Sequence, residues 1–190
     1  MKKEAIIALP HAHLRQKSQK VTVFDSQLKQ LVKDMVDATL DWEASRPHEI
    51  GAALAAVQVN HMIRAIIVRS DLEDKESREF TALINPKIIK YEGEVTSDHE
   101  GCLSVRDIYG LVPRHTKVRV KALDMDGNEI RIRAEGFLAR VLQHEIDHTN
   151  GHLFIDHIKH EKDAFFTLNE VGELQQLNYE SYIKDSPILW

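Results

Sequence analysis

Apolar and polar positions along this chain follow two periods, and each predicts its own kind of element. From Asp25 or Ser26 to about Trp42, the residues Leu28, Leu31, Val32, Met35, Leu40 and Trp42 recur at helical spacing, which predicts a capped helix with one buried stripe. Residues 6–24 read as an extended segment and loop, and Ser45-Arg-Pro-His48 breaks the helix. Strand patterns follow at 55–59, 63–68, 80–84 (ahead of Asn85-Pro86), 88–91, 117–123 and 129–133, with a turn at Asp124-Met-Asp-Gly127 before the last. The charged stretch 71–79 reads as a solvated hairpin or loop. From 136 to about 150 the period is helical again, with Asn150-Gly151 as its stop, and a final helix is predicted over 161–177. Strands first and a helix late predict an α+β fold.

Length and charge narrow the class. With 190 residues, 43% hydrophobic and 29% charged, the chain predicts one globular domain over 1–190, with no linker, repeat or low-complexity tract to divide it. A formal charge of −5, from 25 basic and 30 acidic residues, argues against direct nucleic-acid binding through a broad basic surface. No apolar run approaches the roughly 20 residues that cross a bilayer. The first ten residues lack the apolar core and cleavage site of a signal peptide, so a cytoplasmic location without membrane contact is expected.

The candidate chemistry sits in Leu142-Gln143-His144-Glu145-Ile146-Asp147-His148. On a helix, His144 and His148 lie one turn apart on one face and can share a metal ion, while Glu145 can take a proton from a water on it. A further protein ligand is needed. In zinc peptidases with a third downstream histidine it falls six residues after the second, but that position is Phe154 here, and His152 and His157 are out of phase. Cys102, the only cysteine, is the better candidate: a thiolate binds zinc or ferrous iron and leaves a fourth position for water. An isolated cysteine is more often a small buried apolar residue. Its setting in Glu100-Gly-Cys-Leu-Ser104 reverses those odds.

Three segments in this order, Gly51-Ala-Ala-Leu-Ala-Ala-Val-Gln58, Glu100-Gly-Cys-Leu-Ser104 and Gln143-His-Glu-Ile-Asp-His148, resemble the peptide deformylases. The likeness continues through Leu111-Val-Pro-Arg114, Gly136-Phe-Leu-Ala-Arg140 and Gly151-His-Leu-Phe-Ile-Asp156, and spans about residues 5–160. It implies mixed or antiparallel β-sheets packed around a central metal-binding helix. It also implies a metal-dependent hydrolase that removes the N-formyl group from the initiator methionine of nascent polypeptides and releases formate. Carried over residue by residue, Cys102, His144 and His148 hold one divalent metal ion, with Fe²⁺ expected natively and Zn²⁺, Ni²⁺ or Co²⁺ in isolated protein. Glu145 is the acid/base, and the Gln58 amide and Leu103 N–H receive the oxyanion. The peptide pairs with Gly51, Ala52, Ala53 and Gly101, its methionine enters a pocket near Phe137, Val141 and His144, and Arg114 contacts its backbone near the mouth. Glu100, Gln143 and Asp147 orient ligands and loops.

Departures from the family pattern carry their own expectations. Ala53 stands where the family has a second glycine, so its methyl narrows the cleft or limits the backbone. Val105-Arg-Asp-Ile-Tyr109 lacks a proline common in one branch, and Thr149 replaces a common leucine. The segment from about 161 is divergent and acidic, which suits it poorly to ribosomal RNA although work near the ribosome is expected; Leu168, Val171, Leu174 and Leu177 are read as its packing face. Two other readings stand beside the leading one: a metallopeptidase cutting internal amides, which Phe154 and Cys102 oppose, and a silent peptide binder, which only Ala53 invites.

Overall fold

A computed structural model describes every residue of the chain except Pro47, Glu73 and Lys75. Helix α1 runs Ser26–Glu43, and the Asp25 carboxylate accepts hydrogen bonds from the N–H groups of Gln27 and Leu28, as an N-cap should. Its buried face is Leu28, Leu31, Met35, Ala38 and Thr39. Chain termination of α1 at Glu43 agrees with the predicted break, of which Pro47 lies outside the described residues. Glu73 and Lys75 of the predicted 71–79 connection lie outside them too.

The strands are β1 (Ala53–Ala55), β2 (Ala65–Arg69), β3 (Phe80–Cys102), β4 (Val105–Leu123), β5 (Glu129–Glu135), β6 (Phe165–Leu168) and β7 (Leu174–Gln176). Among the described residues they form one antiparallel sheet in the order β1-β2-β3-β4-β6-β7, with β5 also on β4. Helix α2 (Gly136–Asn150) packs its Ala139, Val141, Leu142 and Ile146 in one core cluster with the sheet residues Ile66, Val118 and Val120 and with Val57 just after β1. It is buried along most of its length, so the sheet-around-a-helix expectation holds. Gly151 ends it at φ 81°, and a Cβ there would lie 2.7 Å from the Arg15 carbonyl oxygen, so both conformation and space require glycine.

Four expectations change. Residues 80–84 and 88–91 belong to one 23-residue strand, because a bulge absorbs Asn85-Pro86. The Asn85 side chain, at φ 53°, is held by two 2.8 Å hydrogen bonds to the Val21 backbone. The strand predicted at 55–59 is β1 followed by a 3₁₀ turn, Ala56–Val59, closed by Asn60 at φ 64°. The segment before α1 contains short 3₁₀ turns at Lys3–Ala5 and Ala12–Arg15.

The fourth change is the tail. No helix spans 161–177: β6 and β7 form a hairpin, and only Tyr179–Tyr182 is helical (α3). The i, i+3 recurrence of Leu168, Val171, Leu174 and Leu177 imitates a helical face, yet Phe165-Phe166-Thr167 favours a strand and Gly172 adopts φ 82°. Leu177, partly buried, does pack against a core cluster, whereas Val171 is 68% exposed.

Ala53 bears on stability. It lies in extended β1, 6% exposed, with its methyl in the core cluster beside α2, so the backbone there has no need of glycine. Ala53→Gly should therefore lower unfolding free energy by about 1 kcal/mol, read as a shift in the denaturant midpoint at constant slope.

A Cys-His-His cluster beside a buried carboxylate

The site is assembled from three pieces of backbone. Cys102 ends β3, where the turn Leu103-Ser104 leads directly into Val105 of β4, its strand partner. His144 and His148 project from one face of α2, their ring centroids 4.9 Å apart. The 3₁₀ turn after β1 supplies Gln58, which is 2% exposed.

One ligand atom each from Cys102, His144 and His148 lies within 4.8 Å of the others, and Cys102 Sγ is 3.2 Å from His148 Nε2. His144 Nδ1 bonds Glu100 Oε2 at 2.9 Å, which turns Nε2 toward the cluster. Burial pushes the His148 pKa far down, so it stays a neutral imidazole, as a ligand must. Burial also pushes His144 down, but hydrogen bonds to Cys102 and Glu100 outweigh it, so positive charge is favoured at this point. One cysteine sulfur and two imidazoles whose ligand atoms lie within 4.8 Å of one another, one ring oriented by Glu100, fit a single divalent metal ion.

Glu145 follows His144 on α2 and is 5% exposed. Its Oε2 is buried without a hydrogen-bond partner, and burial pushes the carboxyl up to about 7. It lines one cavity of about 360 Å³ together with Gln58, Cys102, Leu103 and His144. Gln58 is fixed at both ends of its amide. Oε1 accepts from the Ala55 N–H at 2.8 Å, and Nε2 lies 3.1 Å from Ser104 Oγ and 3.5 Å from Cys102 Sγ.

Glu100 is the hub of the surrounding charge. It accepts from Arg114 Nε at 2.9 Å and Nη2 at 3.0 Å, and from Arg140 Nη1 at 2.8 Å, while holding His144. Burial raises its pKa, but His144 and Arg114 more than reverse this and hold the carboxyl below the usual range.

Several sequence expectations are relocated. Arg114 does not stand at the mouth of the cleft: it is 5% exposed and bonds Glu100 and Asp147. A guanidinium so enclosed is a structural partner for those carboxylates. Asp147 accepts from Arg114 Nη1 and bonds His157 Nε2 at 2.7 Å, so it ties α2 to the turn that follows it. Gln143 orients no ligand. Its amide bridges the His115 N–H and C=O of β4, tying α2 to the sheet. Phe154, at the alternative ligand position, stacks on His144 with ring centroids 6.1 Å apart.

The peptide-pairing positions divide. Gly51 is committed to the fold, with its N–H on Glu43 and its carbonyl on Arg69, and a Cβ there would meet Thr39 at 2.5 Å. The Ala52 carbonyl accepts from the Arg69 N–H, so by antiparallel alternation Ala53 turns its backbone groups to the free edge of β1. Ala52, Ala53, Gly101, Phe137 and Val141 line the cavity.

Sequence reasoning assigned no role to Arg140 and Ser104, though both stand in the recognised motifs. The i, i+4 spacing of Arg140 and His144 was the available signal that one acidic residue serves both. Trp42, Ile50, Leu168 and Leu174 also line the cavity. The two from the tail carried no such signal, because that segment read as a helix.

Comparison with known proteins agrees with this geometry. The polypeptide deformylase family model matches residues 3–164. A peptide deformylase from Wolinella succinogenes is 44% identical over 153 residues, 80% of this chain and 85% of that protein. The crystal structure of a Synechococcus elongatus peptide deformylase in complex with actinonin has a TM-score of 0.74 at 35% identity, covering 82% of this chain and 80% of that one. That of a Legionella pneumophila peptide deformylase has a TM-score of 0.71 at 39% identity, covering 80% and 83%.

Proposed function

The chain belongs to the peptide deformylase family and is a metal-dependent hydrolase that removes the N-formyl group from nascent peptides; we propose that Glu145 is its acid/base and Cys102, His144 and His148 its metal ligands. The observation that carries this reading is the buried, unpartnered Glu145 carboxylate oxygen beside the Cys-His-His cluster.

The ion, when bound, supplies Lewis-acid activation of water and of the formyl oxygen. Glu145 takes one proton from the attacking water as the oxygen adds to the formyl carbon. As the carbon–nitrogen bond breaks, the same carboxyl returns that proton to the leaving amine, so the products are formate and a free methionyl amino group. A carboxyl raised to about 7 suits both halves of this task. Gln58 Nε2 and the Leu103 N–H donate to the oxygen that gains negative charge. The Ala55 N–H, donating to Gln58 Oε1, holds the amide in the donating orientation, and Ser104 Oγ holds Nε2 until substrate arrives. The Ala53 edge pairs with the peptide, and Phe137 and Val141 receive the methionine side chain.

We take the native ion to be Fe²⁺, the whole chain 1–190 to work as one catalytic unit, and its place to be the cytoplasm near the ribosome. The acidic segment from 161 is poorly suited to docking on ribosomal RNA. No described helix is long and apolar enough to cross a membrane.

The test is formate release from formyl-Met-Ala-Ser by protein prepared without oxygen and loaded separately with Fe²⁺, Ni²⁺ and Zn²⁺. The Fe²⁺ form should turn over fastest and lose activity in air as the iron or the Cys102 thiolate oxidises. Equal rates with all three ions, unaffected by air, would refute the assignment of iron.

A further inference from the structure

The family match ends at Ala164, and the β6–β7 hairpin begins at the next residue. That hairpin is built into the cleft. Phe166 and Phe165 pair with Tyr109 and Gly110 on the edge of β4, and the buried Phe165 ring anchors it from beneath. Phe166 places its ring edge-on to His99, another cavity-lining residue, with centroids 4.7 Å apart.

At the far end, Asn169 organises the turn. Its Oδ1 accepts from the Val171 N–H at 3.1 Å and the Glu173 N–H at 2.8 Å, and its carbonyl accepts from Gly172. Gly172 packs so closely on His48 that a Cβ would lie 2.8 Å from the imidazole. The hairpin therefore reaches from the edge of β4 to the loop just ahead of the β1 motif. Leu168, Gly172 and Leu174 line the same cavity as Cys102 and Glu145.

Three apolar cavity-lining side chains remain open to water: Ile50 at 39%, Phe137 at 56% and Leu174 at 37%. Phe137 belongs to the proposed methionine pocket. Ile50 and Leu174, joined by the partly buried Leu168, are left without an occupant. Exposed apolar groups gathered along a cleft mark a surface that a ligand covers. A formyl-methionyl peptide continues past its first residue as an extended chain, so its following side chains are what this surface would meet.

We propose that the hairpin is the outer wall of the peptide cleft and that Leu168, Leu174 and Ile50 form a subsite for an apolar side chain on one of the two residues after formyl-methionine. The inference rests on the deformylase reading of the cleft. It makes the tail beyond the family match a determinant of which nascent chains are processed fastest.

The experiment compares kcat/KM for formyl-Met-Ala-Ser, formyl-Met-Leu-Ser and formyl-Met-Ala-Leu on the metal-loaded full chain. One leucine peptide should be preferred over the alanine-serine parent by roughly tenfold, mostly through KM. The double variant Leu168→Ser/Leu174→Ser should bring that ratio to within about twofold of unity. Leu174→Glu should instead create a preference for lysine at the same peptide position, a gain that a damaged fold would not produce. Turnover with the same leucine ratio in wild type and double variant overturns the subsite and leaves the deformylase reading standing. No formate from any peptide, with metal bound, overturns that reading and this inference with it.

Discussion

Glu145→Gln should release formate roughly 10²- to 10⁴-fold more slowly than wild type while keeping its full metal content. The amide matches the carboxylate in shape but can neither accept the proton of the attacking water nor return it to the leaving amine. Folding should not suffer. The carboxylate oxygen of Glu145 has no buried partner to lose, and burial already disfavours its charged form. Metal content by elemental analysis, read beside single-turnover formate release, separates loss of the base from loss of the ion. Near-normal turnover in the metal-loaded variant would remove Glu145 from the mechanism.

Glu100→Ala is the second large expectation, and it acts on stability. The side chain is 4% exposed and answers two guanidinium groups, Arg114 and Arg140, that are themselves 5% and 8% exposed. Removing it strands buried positive charge, which costs about 3–5 kcal/mol. Asp147 still pairs with Arg114, and backbone carbonyls of Thr96 and Val112 still accept from Arg140, so part of the network survives. His144 also loses the acceptor that fixes its ring, and metal affinity should fall roughly 10- to 100-fold. Thermal unfolding of the apo form and metal competition on the folded form read the two effects separately. A midpoint unchanged from wild type would show that Asp147 and the backbone carbonyls suffice for the arginines without Glu100.

Both expectations depend on neighbours that differ in how visible they are along the chain. His144 and His148 are legible because a helix converts a spacing of four into a shared face, with Glu145 beside the first. Helix α1 and the start and stop of α2 were legible for the same reason, since caps and stripes are local. The motifs around Cys102 and Gln58 pointed to a third ligand and an oxyanion donor by residue type, without the distances that bring them together.

Other features were hidden because they depend on long-range pairing. Asn85-Pro86 looked like a strand end, yet its bulge is stabilised by the Val21 backbone, 64 residues away in sequence. Arg114 looked like a substrate contact at a loop, yet it meets Glu100, Asp147 and His157 in the interior. The tail shows the limit most clearly. Its leucines fit a helical stripe as well as a hairpin, and pairing with the edge of β4 at Tyr109 and Gly110 adds to the local strand preference of Phe165-Phe166-Thr167 in selecting the strand.

What this sequence determined by itself is the proposed reacting set: Cys102, His144, Glu145, His148 and Gln58, whose residue types and short-range order point to the chemistry. Tertiary structure alone decided which charges surround that set and which apolar side chains wall the cleft. The reason is physical. Ligand chemistry belongs to atoms within a residue and its helical turn, whereas burial and charge compensation arise only when segments such as β3, β4, α2 and the hairpin meet.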